Sequence, residues 1–180
     1  MNSVLAAAVG LLFSIMASVC FADAGGTAVA RIIAIPRRDN GYGNLEATTI
    51  TSQEQLDAFL TRAAKERELA WQNFEAFQQS LRQAAIDFAR EALVILPHTE
   101  PSGSISVDLR LLRVEDNRLI CQIDRHVPAI GTDDMAYHCF AIVVGQSQVR
   151  EIEVQIPNRV PRRIIIWPRA VSSPTNSTPE

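Results

Sequence analysis

The stretch SISVDLRLLRV, residues 104–114, alternates apolar and polar side chains at the period of a β-strand. Its apolar members, such as Val107 and Leu109, are expected on a buried face and its polar members in water. Further runs with strand character follow or precede it, separated by turn residues: Ala92–Leu96, Arg118–His126, Met135–Val144 and Gln148–Ile156. Because these runs succeed one another closely, they predict an antiparallel β-sheet meander.

The segment before these strands predicts helix. Ser52 is a typical helix cap, and Gln55, three residues on, completes a reciprocal capping arrangement. Apolar residues then recur at helical spacing, so helical structure is expected to about Ala85. Helix and strands are grouped and do not alternate, which indicates an α+β fold with the helical segment packed on one face of the sheet.

Three short runs complete the predicted fold. A strand, Ala28–Ile35, ends at Pro36, and a turn over residues 37–44 leads to a second strand, Leu45–Ile50. The run Arg162–Trp167 lies between two prolines. It predicts an edge strand, because proline cannot donate a hydrogen bond to a ladder.

The first 24 residues predict a cleavable signal peptide. An apolar block too short for a membrane span precedes small residues that end at Ala24. We therefore expect a periplasmic or secreted protein without stable membrane insertion after cleavage, one domain over residues 25–169, and a disordered tail over 170–180, which is rich in Ser, Thr and Pro. A buried N-terminal helix is the alternative. Lipidation of Cys20 stays open, although the branched Val19 before it favours a free product.

Charge makes nucleic acid an improbable partner. Removing Asp23 with the signal peptide leaves 17 basic residues against 19 acidic ones, because the full chain has 17 and 20. A chain so close to neutral lacks the basic surface that phosphate backbones require.

Two cysteines remain after cleavage, Cys121 and Cys139. In an oxidising compartment such a pair is usually bonded. A hairpin between the runs that carry them would place the two residues directly opposite each other, at a separation that suits a disulfide. We therefore predict a disulfide-stapled hairpin; two reduced buried thiols are the alternative.

The residues that could carry chemistry form no recognisable constellation. Three histidines and three aspartates could bind a metal ion: His98, His126, His138, Asp124, Asp133 and Asp134. In the hairpin register set by the cysteines, however, His126 opposes Asp134 and His138 opposes Gln122. The two histidines are then four ladder positions apart, which is too far for one ion to bind both. We also find no serine-nucleophile motif, no phosphate-binding glycine loop and no dinucleotide fingerprint, so we predict no catalytic residue, metal or cofactor.

Binding is the remaining kind of function. The turn that contains Ser102, Gly103 and Ser104, and the loop Pro128–Asp134, are expected at the ends of the sheet, where binding loops are usually placed. Trp167, on the candidate edge strand, is the other candidate, since an exposed edge accepts a partner strand. A tryptophan buried beneath the tail is its alternative.

Three short motifs, in order, support a resemblance to a known family: SQEQL at 52–56, IDFARE at 86–91 and PSGSISV at 101–107. With them the chain, over about residues 50–155, resembles the C-terminal domain of PrcB-type exported protease-complex lipoproteins. It has Gly103-Ser104-Ile105 where those domains tend to have Gly-Gly-Tyr. The resemblance implies a non-enzymatic partner or stabiliser of another exported protein, such as a protease. The rival hypothesis is a small secreted hydrolase whose site is assembled only in three dimensions, with His98 or His138 as its base.

Overall fold

The computed structural model describes residues 20–22, 28–65 and 71–166. These residues form three layers, in the order sheet, sheet, helices. The strands are β1 (Cys20–Ala22), β2 (Ala28–Ile33), β3 (Thr48–Ile50), β4 (Glu91–Glu100), β5 (Ser106–Glu115), β6 (Arg118–His126), β7 (Ala136–Gly145), β8 (Glu151–Gln155) and β9 (Arg162–Ile165). The helices are α1 (Gln53–Lys65), α2 (Phe74–Gln83) and a 3-10 helix (Asn40–Asn44). The α+β class is thus confirmed.

The strands form two sheets. Sheet A has the order β1-β2-β7-β4-β3 and is antiparallel throughout. Sheet B has the order β5-β6-β8-β9, in which β6 and β8 are parallel and the other pairs antiparallel. One hydrophobic core lies between the sheets, and a second lies between sheet A and the helices.

The predicted single meander is wrong, although its strands are well placed along the chain. Of the predicted neighbours, only β5 and β6 pair as expected, whereas β4 and β5, β6 and β7, and β7 and β8 lie in different sheets. The physical reason is burial. Residues 92–96 of β4 and 141–144 of β7 are buried on both faces, so these strands need cover on two sides and occupy adjacent central positions in sheet A.

The helical segment lies on the outer face of sheet A, as predicted. Phe59, Leu60, Phe77 and Leu81 are buried there against alternate residues of β4 and β7. At the start of α1 the Gln55 N–H donates to Ser52 Oγ at 3.2 Å. The reciprocal bond reaches one residue further back than predicted, because Gln55 Oε1 accepts from the Thr51 N–H at 2.8 Å.

The predicted turn over residues 37–44 contains the 3-10 helix, and Asp39 fixes it to α2. This buried carboxylate accepts from the N–H groups of Gly41 (2.9 Å), Gln72 (3.0 Å) and Asn73 (2.7 Å). It therefore caps the 3-10 helix and the start of α2 together. The following strand is shorter than predicted, and β3 pairs with β4.

The predicted disulfide and its hairpin are wrong. Both thiols are free: Cys121 lies on β6 in the core between the sheets, and Cys139 lies on β7 in the core beneath the helices. Because β6 and β7 belong to different sheets, the two residues do not face each other. Burial raises the pKa of Cys121 to about 12 and also raises that of Cys139.

Several predictions fall at the termini. β9 is an edge strand of sheet B, as predicted. Of the predicted signal peptide, the structure describes residues 20–22, which form β1 against β2, so cleavage after Ala24 would make β2 an edge of sheet A. The remainder of that segment, Trp167 and the tail over 170–180 lie outside the described residues. Within the described ranges, no helix is long and apolar enough to cross a membrane.

Candidate functional site

One end of the molecule gathers the loops in which the sequence predicts function. β4, β6 and β8 all end there, and β7 begins there. The connections at this end include the turn 101–105, the loop 127–135 and the loop 156–161, and these three together we call the loop end.

The predicted binding turn and the predicted binding loop are in direct contact. Ser102 Oγ donates to the Thr132 carbonyl at 2.8 Å and accepts from the Thr132 N–H at 3.0 Å. It also lies 2.9 Å from Ser104 Oγ. The Gly103 N–H donates to Asp134 Oδ1 at 3.1 Å. Asp134 comes so close that a Cβ on residue 103 would meet its carboxylate at 2.3 Å, so a side chain at this position would force that carboxylate to move.

Arg38 anchors the same two segments from outside. Its guanidinium donates to the Gly103 carbonyl at 2.6 Å and to Asp134 Oδ2 at 3.2 Å. Hydrogen bonds from the Thr132 hydroxyl, the Gly103 N–H and Arg38 hold the pKa of Asp134 below its usual value. The turn and the loop therefore form one hydrogen-bonded unit.

Large apolar side chains project from this unit into solvent. Val127 is 57% exposed, Ile130 86% and Met135 47%, and all three lie on the loop 127–135. Val160, on the loop 156–161, is 86% exposed. Of the large hydrophobic side chains that are exposed in the described part of the chain, only Ile165, on β9, lies away from these loops.

Beneath the loops, charged groups are buried between the sheets. His98 and Glu100 continue the inward face of β4, and Arg125 continues that of β6. Glu100 is fully buried and accepts from Arg125 Nε and from an Arg125 terminal nitrogen, both at 2.7 Å. His98 Nε2 lies 2.7 Å from Oε1, the same oxygen that accepts from Arg125 Nε, and Arg159 lies 3.7 Å from Oε2.

These contacts determine the charge states of Glu100 and His98. Burial raises the pKa of Glu100, but hydrogen bonds from Arg125 and His98 outweigh it, and the net pKa is lowered. Burial lowers the pKa of His98, and the positive charges of Arg159 and Arg162 lower it further, against the hydrogen bond to Glu100. Near neutral pH the carboxylate is therefore ionised and the imidazole is neutral. Its proton lies on Nε2, toward Glu100, and leaves Nδ1 as an acceptor.

The second buried histidine lies directly opposite the first, since His98 and His138 are paired in the β4–β7 ladder. His138 Nδ1 lies 3.2 Å from the Arg37 carbonyl, which can only accept, so Nδ1 carries the proton. Its Nε2 is buried and has no hydrogen-bond partner among the described residues. Burial also lowers the pKa of His138.

This arrangement corrects the sequence-based geometry. His126 pairs with Ser106, and His138 pairs with His98 and not with Gln122, because β6 and β7 do not form a hairpin. The argument from that register against a metal site is therefore void. The structure itself, over the residues it describes, contains no group of three His, Cys, Asp or Glu side chains able to hold a metal ion.

A pocket of about 570 Å³ opens beside His98, between the edge of β4, the segment before β3 and the loop 156–161. Arg159 and Arg162 line it, and Glu46 is the acidic residue in its wall.

The sequence analysis missed Glu100, Arg125 and Arg159, whose side chains come from three separate elements. Comparisons with models of protein families, with curated proteins and with solved structures find no match to this chain.

Proposed function

We propose that this chain is an exported, non-catalytic protein-binding or stabilising module of the cell envelope, periplasmic or secreted, which contacts its partner through the loop end. The partner is another exported protein, and the resemblance to PrcB-type domains favours a protease. The observation that carries the proposal is the exposure of Val127, Ile130 and Met135 on one loop that is hydrogen-bonded to the Ser102 turn.

Apolar side chains that project from an ordered loop suit a binding surface. Clusters of exposed apolar residues on a monomer typically mark interaction sites. A loop already held by hydrogen bonds loses less conformational entropy on binding than a free one, so more of the contact energy appears as affinity. The bonds from Ser102 and Arg38 supply that order here.

The experiment is capture of partners from an envelope extract after mild crosslinking, with Ile130→Asp as the test variant. Ile165→Asp is the matched control, because Ile165 is 70% exposed but pairs with Glu151 at the opposite end of sheet B. We expect a stoichiometric exported protein with the wild type and the control, and its loss with Ile130→Asp. Equal recovery with both variants, or repeated failure to recover any partner, would contradict the proposal.

A second variant separates loop order from apolar contact. Ser102→Ala removes the hydroxyl that both donates to and accepts from Thr132, without touching an exposed apolar residue. Losing this anchoring should weaken capture several-fold while leaving the fold intact. Unchanged capture would show that the order of the loop is irrelevant to binding.

The small secreted hydrolase is the second candidate, and one observation favours it. A histidine oriented by a buried carboxylate, as His98 is by Glu100, is the arrangement of a general base, and His98 lines a pocket. In the described residues no hydroxyl or thiol is hydrogen-bonded to His98, so Nδ1 would have to activate a water molecule. Hydrolysis of ester or peptide substrates that is abolished in His98→Ala would support this candidate; equal rates in both proteins would eliminate it.

A further inference from the structure

The wall of the pocket beside His98 carries more positive than negative charge. Glu100, the buried anion next to it, already accepts two hydrogen bonds from Arg125 and one from His98. Arg159 is the second ion-pair partner of that carboxylate, at 3.7 Å, and no described residue forms an ion pair with Arg162. The two guanidinium groups, against the single acid Glu46, favour an anionic ligand.

The same pocket offers a hydrogen-bond acceptor. Because His98 directs its Nε2 proton to Glu100, its Nδ1 has a free lone pair, and no described residue donates to it. A ligand suited to both features carries an anionic group and an N–H donor.

Two further features favour a polypeptide. Apolar side chains complete the wall, among them Leu45, Ile156 and Val160. In addition, β3 pairs with β4 only from Leu93 to Ile95, and no described strand continues that pairing along residues 97–99, which border the pocket. A free strand edge beside a pocket can align an extended peptide.

We propose that this pocket binds the carboxyl terminus of a polypeptide chain, with the terminal carboxylate on Arg159 and Arg162, an amide N–H on His98 Nδ1, and the last side chain against the apolar wall. The inference rests on the proposed protein-binding function, since it names the segment of the partner that enters the pocket. Size is consistent, because small-ligand pockets typically measure about 300–1,000 Å³.

The test uses a fluorescein-labelled hexapeptide library with randomised last four residues, made once with a free carboxyl terminus and once as the amide. Fluorescence anisotropy with the full chain should show binding of the acid library about tenfold or more tighter than the amide library, as expected for charge-assisted hydrogen bonds. Arg162→Gln and Arg159→Gln should each lower acid binding to a similar extent. Arg163→Gln is the control, because Arg163 lies 3.5 Å from both Glu151 and Glu153 and does not line the pocket.

Equal binding of acid and amide, absence of binding of either library, or equal loss in the Arg163→Gln control would overturn the inference. Competition with N-acetyl amino acids tests whether the pocket binds small carboxylates in general. If they compete as well as the peptides do, the pocket binds free acids and not chain termini. Circular dichroism of each variant verifies that the fold is retained. Capture of a partner that depends on Ile130 but not on Arg162 would reject the inference and leave the proposed function standing.

Discussion

Replacing Arg125 with methionine tests the charge network beneath the loop end. Methionine keeps much of the side-chain length but removes both 2.7 Å hydrogen bonds to Glu100, which is 0% exposed. Removing one partner of a buried ion pair costs about 3–5 kcal/mol. Because His98 stays bonded to Glu100 and Arg159 stays nearby, we expect the lower part of that range, about 3 kcal/mol at neutral pH.

The pKa of Glu100 determines how the free energy of unfolding changes with pH in the wild type and in the variant. In the wild type the pKa of Glu100 lies below the ordinary 4.5, so the stability it contributes is present above 4.5 and is lost as the pH falls through the lower, folded value. In Arg125→Met the effect of burial is no longer outweighed, so the pKa of Glu100 rises above its unfolded value. The variant therefore loses stability as the pH rises above that value, and its deficit grows from pH 4 to pH 7.

Urea unfolding followed by circular dichroism, at pH 4.0 and pH 7.5, measures both effects. The control is Glu100→Gln with Arg125→Met, which removes both charges together and should recover most of the lost stability, because no uncompensated charge stays buried. A deficit below about 1 kcal/mol at pH 7.5, or one equal at the two pH values, would refute the reasoning, since a buried carboxylate left without its main partner must cost more.

Three further predictions concern the fold. Asp39→Ala should lower the free energy of unfolding by about 2–4 kcal/mol, because buried N–H groups at the start of α2 and of the 3-10 helix lose their acceptor; urea unfolding measures this, with Asp39→Asn as the milder control. Cys121 and Cys139 should both react with a thiol reagent in denaturant without prior reduction, and both resist it in the native protein. Gly41→Ala should disturb the near-ultraviolet circular dichroism of Trp71, because a Cβ would meet the indole at 2.1 Å; an unchanged spectrum would contradict this.

Local structure was predictable because it depends on local pattern. Alternation located β5, and the Ser52 cap located α1, from neighbouring residues alone. Strand pairing was not predictable in the same way. The Cys121 and Cys139 runs have the spacing of a hairpin, but the double-sided burial of β4 and β7 places those two strands together, and that preference outweighs sequence proximity.

The site was predictable as loops but not as a charge network. Contact between the Ser102 turn and the loop 127–135 matches the expectation that both lie at an end of the sheets. Glu100 and Arg125, by contrast, are on strands of different sheets and only tertiary structure brings them together. One signal was present: Glu100 continues the buried alternation of Val94 and Leu96, and a carboxylate at such a position requires a partner.

The two charge clusters at the loop end connect stability with binding. Glu100 joins β4 to β6 through Arg125 and lies near Arg159 of the loop 156–161, while Asp134 joins the loop 127–135 to the Ser102 turn. Both carboxylates have lowered pKa values because they accept hydrogen bonds in the folded state. As the pH falls through these lowered, folded-state pKa values, both carboxylates are protonated, and the loops that carry the exposed apolar residues lose their charged anchors before the apolar cores themselves are affected. Partner capture should consequently weaken at a higher pH than global unfolding does, because the loops are held by charge and the cores by burial.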